Sequence, residues 1–324
     1  MSLIILVFYY HLMVNLEIHK KKLSDQGRKA LFAVNNVCKK NSFNIKTKLS
    51  LFDTYVNSVM SYASEIWGFH PAPDIEKVHL SFCKNILGVH KRTSNDMVYN
   101  ELGRYPLQIA RKFRIFKYWI KRVNTDNCIL WSCYEYMKVN EDSWIVNVRK
   151  ELNELGLGYL WNYNHIENYH FNIIRRKITE IYEQSLCARI CNSPKCVLYR
   201  YLTCGFNLQT YLSKNIKYMK ELTQMRLSAH KLQIEYGRYL NIDRQDRKCI
   251  LCNLDMIEDE FHFILKCPVY DNLRRKYFKP YYRNRSSVFK LVQLLSSDNV
   301  KEINNLCKFL YSARIFRSEL LQAQ

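Results

Sequence analysis

Eight glycines and six prolines are all that this chain of 324 residues offers for reversing its direction. Together they are about 4% of the residues, where an ordinary globular chain has roughly 12%. Hairpins and sandwiches draw on these residues at most of their turns, so a sheet-rich architecture is disfavoured and a mainly α fold is expected. The length allows two domains, or one large one, with a core that needs no disulfide support.

Apolar spacing agrees with that expectation. Between Thr47 and Phe69, Leu51, Tyr55, Val59, Tyr62 and Ile66 recur in steps of three and four, which predicts an amphipathic helix capped by Thr47 and ended by the His70–Pro73 stretch. A second helix is predicted over Asp74–Leu87, with Ile75, Val78, Phe82 and Ile86 on one face and Gly88 as its left-handed C-terminal cap. Further helical patterns cover Ser143–Gly156, Phe171–Leu186, Leu222–Tyr239 and Val300–Gln322. With the family resemblance set out below, which implies the bounds, the chain divides into 1–19, 20–124, 125–221, 222–285 and 286–324, and no glycine- or serine-rich linker divides the middle region.

Fifty Lys and Arg against twenty-nine Asp and Glu leave a formal net charge of +21, which favours polyanionic partners through counterion release. The stretch Arg104–Asn124 concentrates this charge, because no acid lies between Leu102 and Thr125. Ile109, Phe113, Phe116, Ile120 and Val123 keep helical spacing there, while Arg111, Lys112, Arg114, Lys117, Lys121 and Arg122 supply the cations. Such a helix lays its basic side along a phosphate backbone or simply presents a solvated face.

The run Leu3–Val14 is too short to span a bilayer and lacks the basic start and small-residue cleavage site of a secretion signal. It reads as a buried helix or strand, or as a non-native start. Twelve cysteines are too dilute for a disulfide scaffold, and Cys187, Cys191, Cys196 and Cys204 follow no paired metal-ligand spacing, so they read as core thiols. Cys128 and Cys133 carry still less signal.

One cysteine group differs. Cys249, Cys252, His262 and Cys267 form C-x2-C-x9-H-x4-C, a compact set of the thiolate and imidazole donors that zinc prefers. Pro268 suits the first turn of a helix, placing Cys267 at a helix N-terminus where a thiolate is favoured. Asp255, Glu258, Asp259 and Glu260 are expected to face solvent, and Phe261, Phe263, Ile264 and Leu265 to pack around the site. Four protein ligands leave no open position, so the metal is expected to be structural.

The stretch Lys248–Phe278 resembles the C-terminal cysteine-histidine motif of non-LTR, LINE-type retrotransposon reverse transcriptases, through Glu260, His262, Phe263, Cys267, Pro268, Tyr270, Leu273 and Arg274. Leu222–Asn241 is similar to the basic stretch leading into that motif, and Leu51–His70 with Ile75–Val123 to the helical, thumb-like region after the polymerase palm. The resemblance implies a helical connector followed by a small zinc-stabilised module. It also implies binding of RNA or DNA, largely without sequence preference, through Arg226, Lys231, Arg238, Arg247, Lys248, Arg274, Arg275 and Lys276 flanking the metal, with Tyr236, Tyr239, Tyr270 and Tyr277 stacking on unpaired bases.

Polymerases of that family hold two metal ions with palm carboxylates that include an adjacent Asp-Asp pair, and this chain has no such dipeptide. The expectation is therefore a truncated, catalytically inactive piece that retains zinc and nucleic-acid binding in the nucleus or cytoplasm, with no membrane association. The competing expectation is a zinc-stabilised helical module for protein interaction that binds no nucleic acid.

Overall fold

The computed structural model describes residues 2–203 and 205–323, with side chains of residues 1–15 and of 143 left out. Among the described residues the protein is built from 16 α-helices joined by short 3-10 and π turns. Two isolated antiparallel bridges, Leu102 with Leu208 and Lys248 with Ile257, are the β pairings among the described residues. The backbone of Leu3–Val14 belongs to the helix Ser2–Lys40; its side chains, like Cys204, lie outside the described residues. No helix of the described residues is long and apolar enough to cross a membrane.

The chain gathers into two compact units, one of residues 1–82 and 105–186, the other of 83–104 and 187–324. Each unit draws on two separated stretches of the chain.

In the first unit, the helix Leu107–Val123 buries Ile109, Ile115, Phe116, Trp119 and Val123 in a core shared with Val148, Leu152, Trp161 and Ile174. Trp119 stacks almost parallel to Trp161, with ring centroids 6.4 Å apart. Burial of each such side chain contributes about 1.5–3 kcal/mol. The helix begins after Pro106, and its first free N–H groups find a carboxylate: Leu107 and Gln108 donate to Glu76 at 3.1 and 2.7 Å. That carboxylate also takes the Arg111 guanidinium, at 3.1 Å.

The stretch 45–67 departs from its predicted face. Asn44, not Thr47, is the cap, accepting from the Thr47 N–H at 2.8 Å. The buried line is Phe52, Val56, Met60, Ser64 and Trp67, while Tyr55, Tyr62 and Ile66 are exposed. A π turn at Asp53–Asn57 and a left-handed Ala63 rephase the helix, and a strict 3.6-residue count cannot anticipate either. The next helix, Pro73–Leu87, buries Ile75, Val78 and Phe82 as its spacing predicts and ends at Gly88 with φ +65°.

In the second unit, the C-terminal helix Val300–Gln322, capped by Asn299, buries Ile303, Leu306, Phe309, Leu310 and Ala313 against the helices Met219–Arg226 and Asp271–Tyr277. The helical pattern at Leu222–Tyr239 is broken in two, with Ser228 left-handed between Met219–Arg226 and Gln233–Tyr239. At the centre of this unit Glu101 and Arg226 form an ion pair with side chains 0% and 1% exposed. Tyr199 and Tyr211 donate their hydroxyls to the same carboxylate, at 2.8 and 2.7 Å, and Arg226 donates onward to the Leu295 carbonyl at 2.7 Å. Burial and the neighbouring carboxylate hold both phenols well above their ordinary pKa, so they remain donors.

Candidate metal centre

Cys249 and Cys252 sit on a tight β-like turn. The Cys249 N–H donates to the Met256 carbonyl at 2.8 Å, the Glu258 N–H to the Arg247 carbonyl at 2.9 Å, and Asp255 takes φ +54° at the reversal. His262 opens the π turn His262–Lys266, its N–H capped by the Asp259 carboxylate at 2.8 Å. Cys267 follows directly and precedes Pro268–Tyr270, the turn that leads into the helix Asp271–Tyr277. Cys267 thus stands at the start of the helical stretch, as Pro268 predicts.

These elements converge. One ligand atom from each of Cys249, Cys252, His262 and Cys267 lies within 4.8 Å of the other three, and Cys252 Sγ is 3.4 Å from His262 Nε2. Three sulfurs and an imidazole nitrogen, with no carboxylate in the set, fit a soft divalent cation. Tetrahedral zinc bonds of about 2.3 Å to sulfur and 2.0 Å to nitrogen place neighbouring ligands roughly 3.5–3.8 Å apart, so the set is compatible with zinc after a small contraction.

The thiols already favour charge at one position. A hydrogen bond from Cys267 holds Cys249 well below the ordinary thiol range, and the same bond holds Cys267 well above it. Burial raises Cys252. Around the site Phe263, Ile264 and Leu265 are buried, with Phe263 edge-on to Tyr270 at 4.8 Å. His262 Nδ1 is buried without a hydrogen-bond partner.

The acids between the ligands do not all face solvent. Glu258 is 1% exposed and Glu260 8% exposed, and each serves as a buried acceptor. Glu258 takes Arg317 through two bonds, at 2.9 and 2.8 Å, and accepts the Gln233 N–H at 2.8 Å. Glu260 accepts from Ser228 at 3.2 Å and pairs with His230 Nε2 at 3.0 Å. The run of acids reads as hydrophilic because the side chains that pair with them, Ser228, His230 and Arg317, lie 30 to 59 residues away in sequence. His230 and Arg317, which hold Glu260 and Glu258, are therefore the supporting residues that no local pattern reveals.

The cations proposed for phosphate contact separate into three groups. Arg111, Arg226 and Arg274 are withdrawn from any such role by burial: Arg111 lies over the Trp67 ring beside Glu76, Arg226 pairs with Glu101, and Arg274 donates to the Cys267 carbonyl at 2.5 Å. Arg247 is half-buried and spends its guanidinium on the Ile242 and Ile234 carbonyls. A second group is paired: Lys112 and Arg238, both half-buried, with Glu151 and Glu235, and Lys248 and Arg275, both exposed, with Asp255 and Asp271. Arg114, Lys117, Lys121, Lys231 and Lys276 are exposed, and Arg122 is half-buried over the Tyr118 ring. Of the tyrosines, Tyr236 and Tyr239 are exposed, Tyr277 is half-buried and Tyr270 belongs to the core.

Among the thiols outside the site, Cys196 is buried, whereas Cys128, Cys133, Cys187 and Cys191 are exposed rather than part of the core. Comparison of the chain with models of known protein families, with curated proteins and with solved structures finds no match.

Proposed function

We propose that this chain is a zinc-stabilised nucleic-acid-binding region of the kind that follows the palm in LINE-type reverse transcriptases, with no polymerase step of its own. The observation that carries this reading is the convergence of Cys249, Cys252, His262 and Cys267, the four residues of the motif, into one closed ligand set. Zinc would be held by those four side chains and would lock the turn at 249–258 to the turn at 262–270. Closed coordination leaves it a structural rather than a catalytic role.

Nucleic-acid binding is supported by the net charge of +21 and by cations that folding leaves at the surface. Lys231, Lys248, Arg275 and Lys276 flank the ligands in the same unit, and Tyr236 and Tyr239 present exposed rings one helical turn apart. The Arg92 guanidinium lies 5.4 Å over the Tyr239 ring, the combination of cation and π-face that single strands use. The lack of an Asp-Asp dipeptide supports assigning no polymerase chemistry.

Fluorescence anisotropy with a mixed-sequence RNA tests the reading. Binding should be measurable at low salt and weaken steeply as salt rises, since each neutralised phosphate releases counterion. Undetectable binding at low salt would return the zinc module to a purely architectural or protein-binding role.

A further inference from the structure

The first unit contains a cleft of about 290 Å³, walled by Phe69, Tyr118, Tyr134 and Trp144, with Arg122 and His70 among its polar lining residues. Its wall is anchored: Trp144 donates its indole N–H to the Glu65 carbonyl at 2.9 Å and stands edge-on to Tyr118 and Phe69. Arg122 is poised differently. Its guanidinium lies 5.0 Å over the Tyr118 ring, and its Nε is buried without a hydrogen-bond partner. An arginine so placed presents a cation and N–H donors to whatever enters the cleft.

The same helix, Leu107–Val123, carries the exposed cations Arg114, Lys117 and Lys121, and Lys117 and Lys121 immediately precede the cleft residues Tyr118 and Arg122. An aromatic cleft of this volume, at the low end of ligand pockets, matches a nucleobase with its sugar better than an extended peptide or lipid chain. Flat π-faces suit stacking, and the adjoining row of cations suits the phosphates on either side of one base.

We infer that this cleft takes an unpaired base from a single-stranded nucleic acid, stacked among Tyr118 and Trp144, with Arg122 contacting an acceptor of the base or its phosphate and Lys117 and Lys121 following the backbone. The inference rests on the nucleic-acid reading above but places a base-specific contact in the unit that lacks the metal ligands.

The test compares a short deoxyadenosine oligomer with an abasic oligomer of equal length and charge, both bound to the full chain at low salt. The abasic strand should bind about tenfold more weakly. Cys133→Trp fills the cleft from an exposed rim position without changing charge. It should lower affinity for the deoxyadenosine oligomer several-fold and leave abasic binding unchanged. Circular dichroism checks its fold, and Arg122→Gln provides a second variant, expected to weaken the deoxyadenosine oligomer more than the abasic one. Equal binding of both strands, unaffected by either variant, overturns the cleft as a base site while leaving the nucleic-acid reading in place. Absence of binding to either strand overturns both.

Discussion

Glu258 and Arg317, 59 residues apart, meet through two hydrogen bonds of 2.9 and 2.8 Å with side chains 1% and 11% exposed, tying the turn at 249–258 to the C-terminal helix. Through its backbone carbonyl and its carboxylate, Glu258 also holds the first N–H groups of Gln233–Tyr239, from Ile234 at 3.1 Å and Gln233 at 2.8 Å. One buried acid thus fixes three elements. Removing its cation leaves a desolvated carboxylate with only neutral donors. Arg317→Met should therefore cost about 3–5 kcal/mol in urea unfolding, and the double change with Glu258→Gln should recover part of that loss. A loss under 1 kcal/mol would show the pair to be dispensable.

Metal content gives a second check. Protein purified without chelator should carry about one zinc per chain by elemental analysis, lost when Cys249 and Cys267 are both changed to serine. Without metal, Cys252 and Cys267 are held above the ordinary thiol range and so keep their protons at neutral pH, while Cys249 is held below it. Zinc must displace those protons, so affinity should rise with pH and binding should release about two protons per ion. Calorimetry in buffers of different ionisation enthalpy measures that number. Zero release would contradict thiolate ligation.

Buried and exposed cations should separate cleanly in mutagenesis. Arg226→Met removes the partner of the fully buried Glu101 and should destabilise the protein by about 3–5 kcal/mol while leaving the salt slope of RNA binding unchanged. Lys276→Gln and Lys117→Gln, both at exposed positions, should each reduce that slope by about 1 with little change in stability. Slopes measured across a salt titration decide it, and an Arg226 variant with a reduced slope would argue for a phosphate contact after all.

Acid sensitivity should involve Glu260. Burial opposes its ionisation, but the hydrogen bond and charge from His230 prevail and hold its pKa below the ordinary glutamate value of 4.5. A carboxyl whose folded pKa is depressed stabilises the fold above 4.5 and loses that contribution as pH falls from 4.5 through its folded value. Glu260→Gln should flatten this limb relative to the native protein in chelator-treated samples, where metal loss does not intrude. Parallel acid limbs would exclude the effect.

Two glycines with positive φ should respond unequally to alanine. At Gly156, φ +70°, a Cβ meets nothing within 4 Å, so Gly156→Ala should cost about 1–2 kcal/mol for the left-handed backbone alone. At Gly103, φ +55°, the added carbon would lie 2.4 Å from the Leu208 backbone nitrogen, beside the Leu102–Leu208 bridge. Gly103→Ala should be worse by at least 1 kcal/mol, roughly the cost of a local backbone shift on top of the same left-handed strain, and thermal unfolding of the two variants side by side gives the comparison.

The sequence by itself determined the helical class, because scarce glycine and proline leave few reversals, and it picked out Cys249, Cys252, His262 and Cys267 as a group that folding brings within metal-holding distance, because close spacing of such donors is a local property. It also located the helix predicted over Asp74–Leu87, which runs Pro73–Leu87 and ends at Gly88, and the last helix near Val300–Gln322. Only the tertiary structure decided which charges are free. Glu258 and Glu260 look like surface acids, and Arg111 and Arg226 look like surface cations, until partners distant in sequence are brought beside them. The buried face of 45–67 was likewise decided by a π turn and a left-handed alanine, which shift the phase of a helix without altering its apolar count. Charge pairing and helix phase depend on neighbours that only folding supplies, whereas turn content and close-spaced ligands are written in adjacent residues.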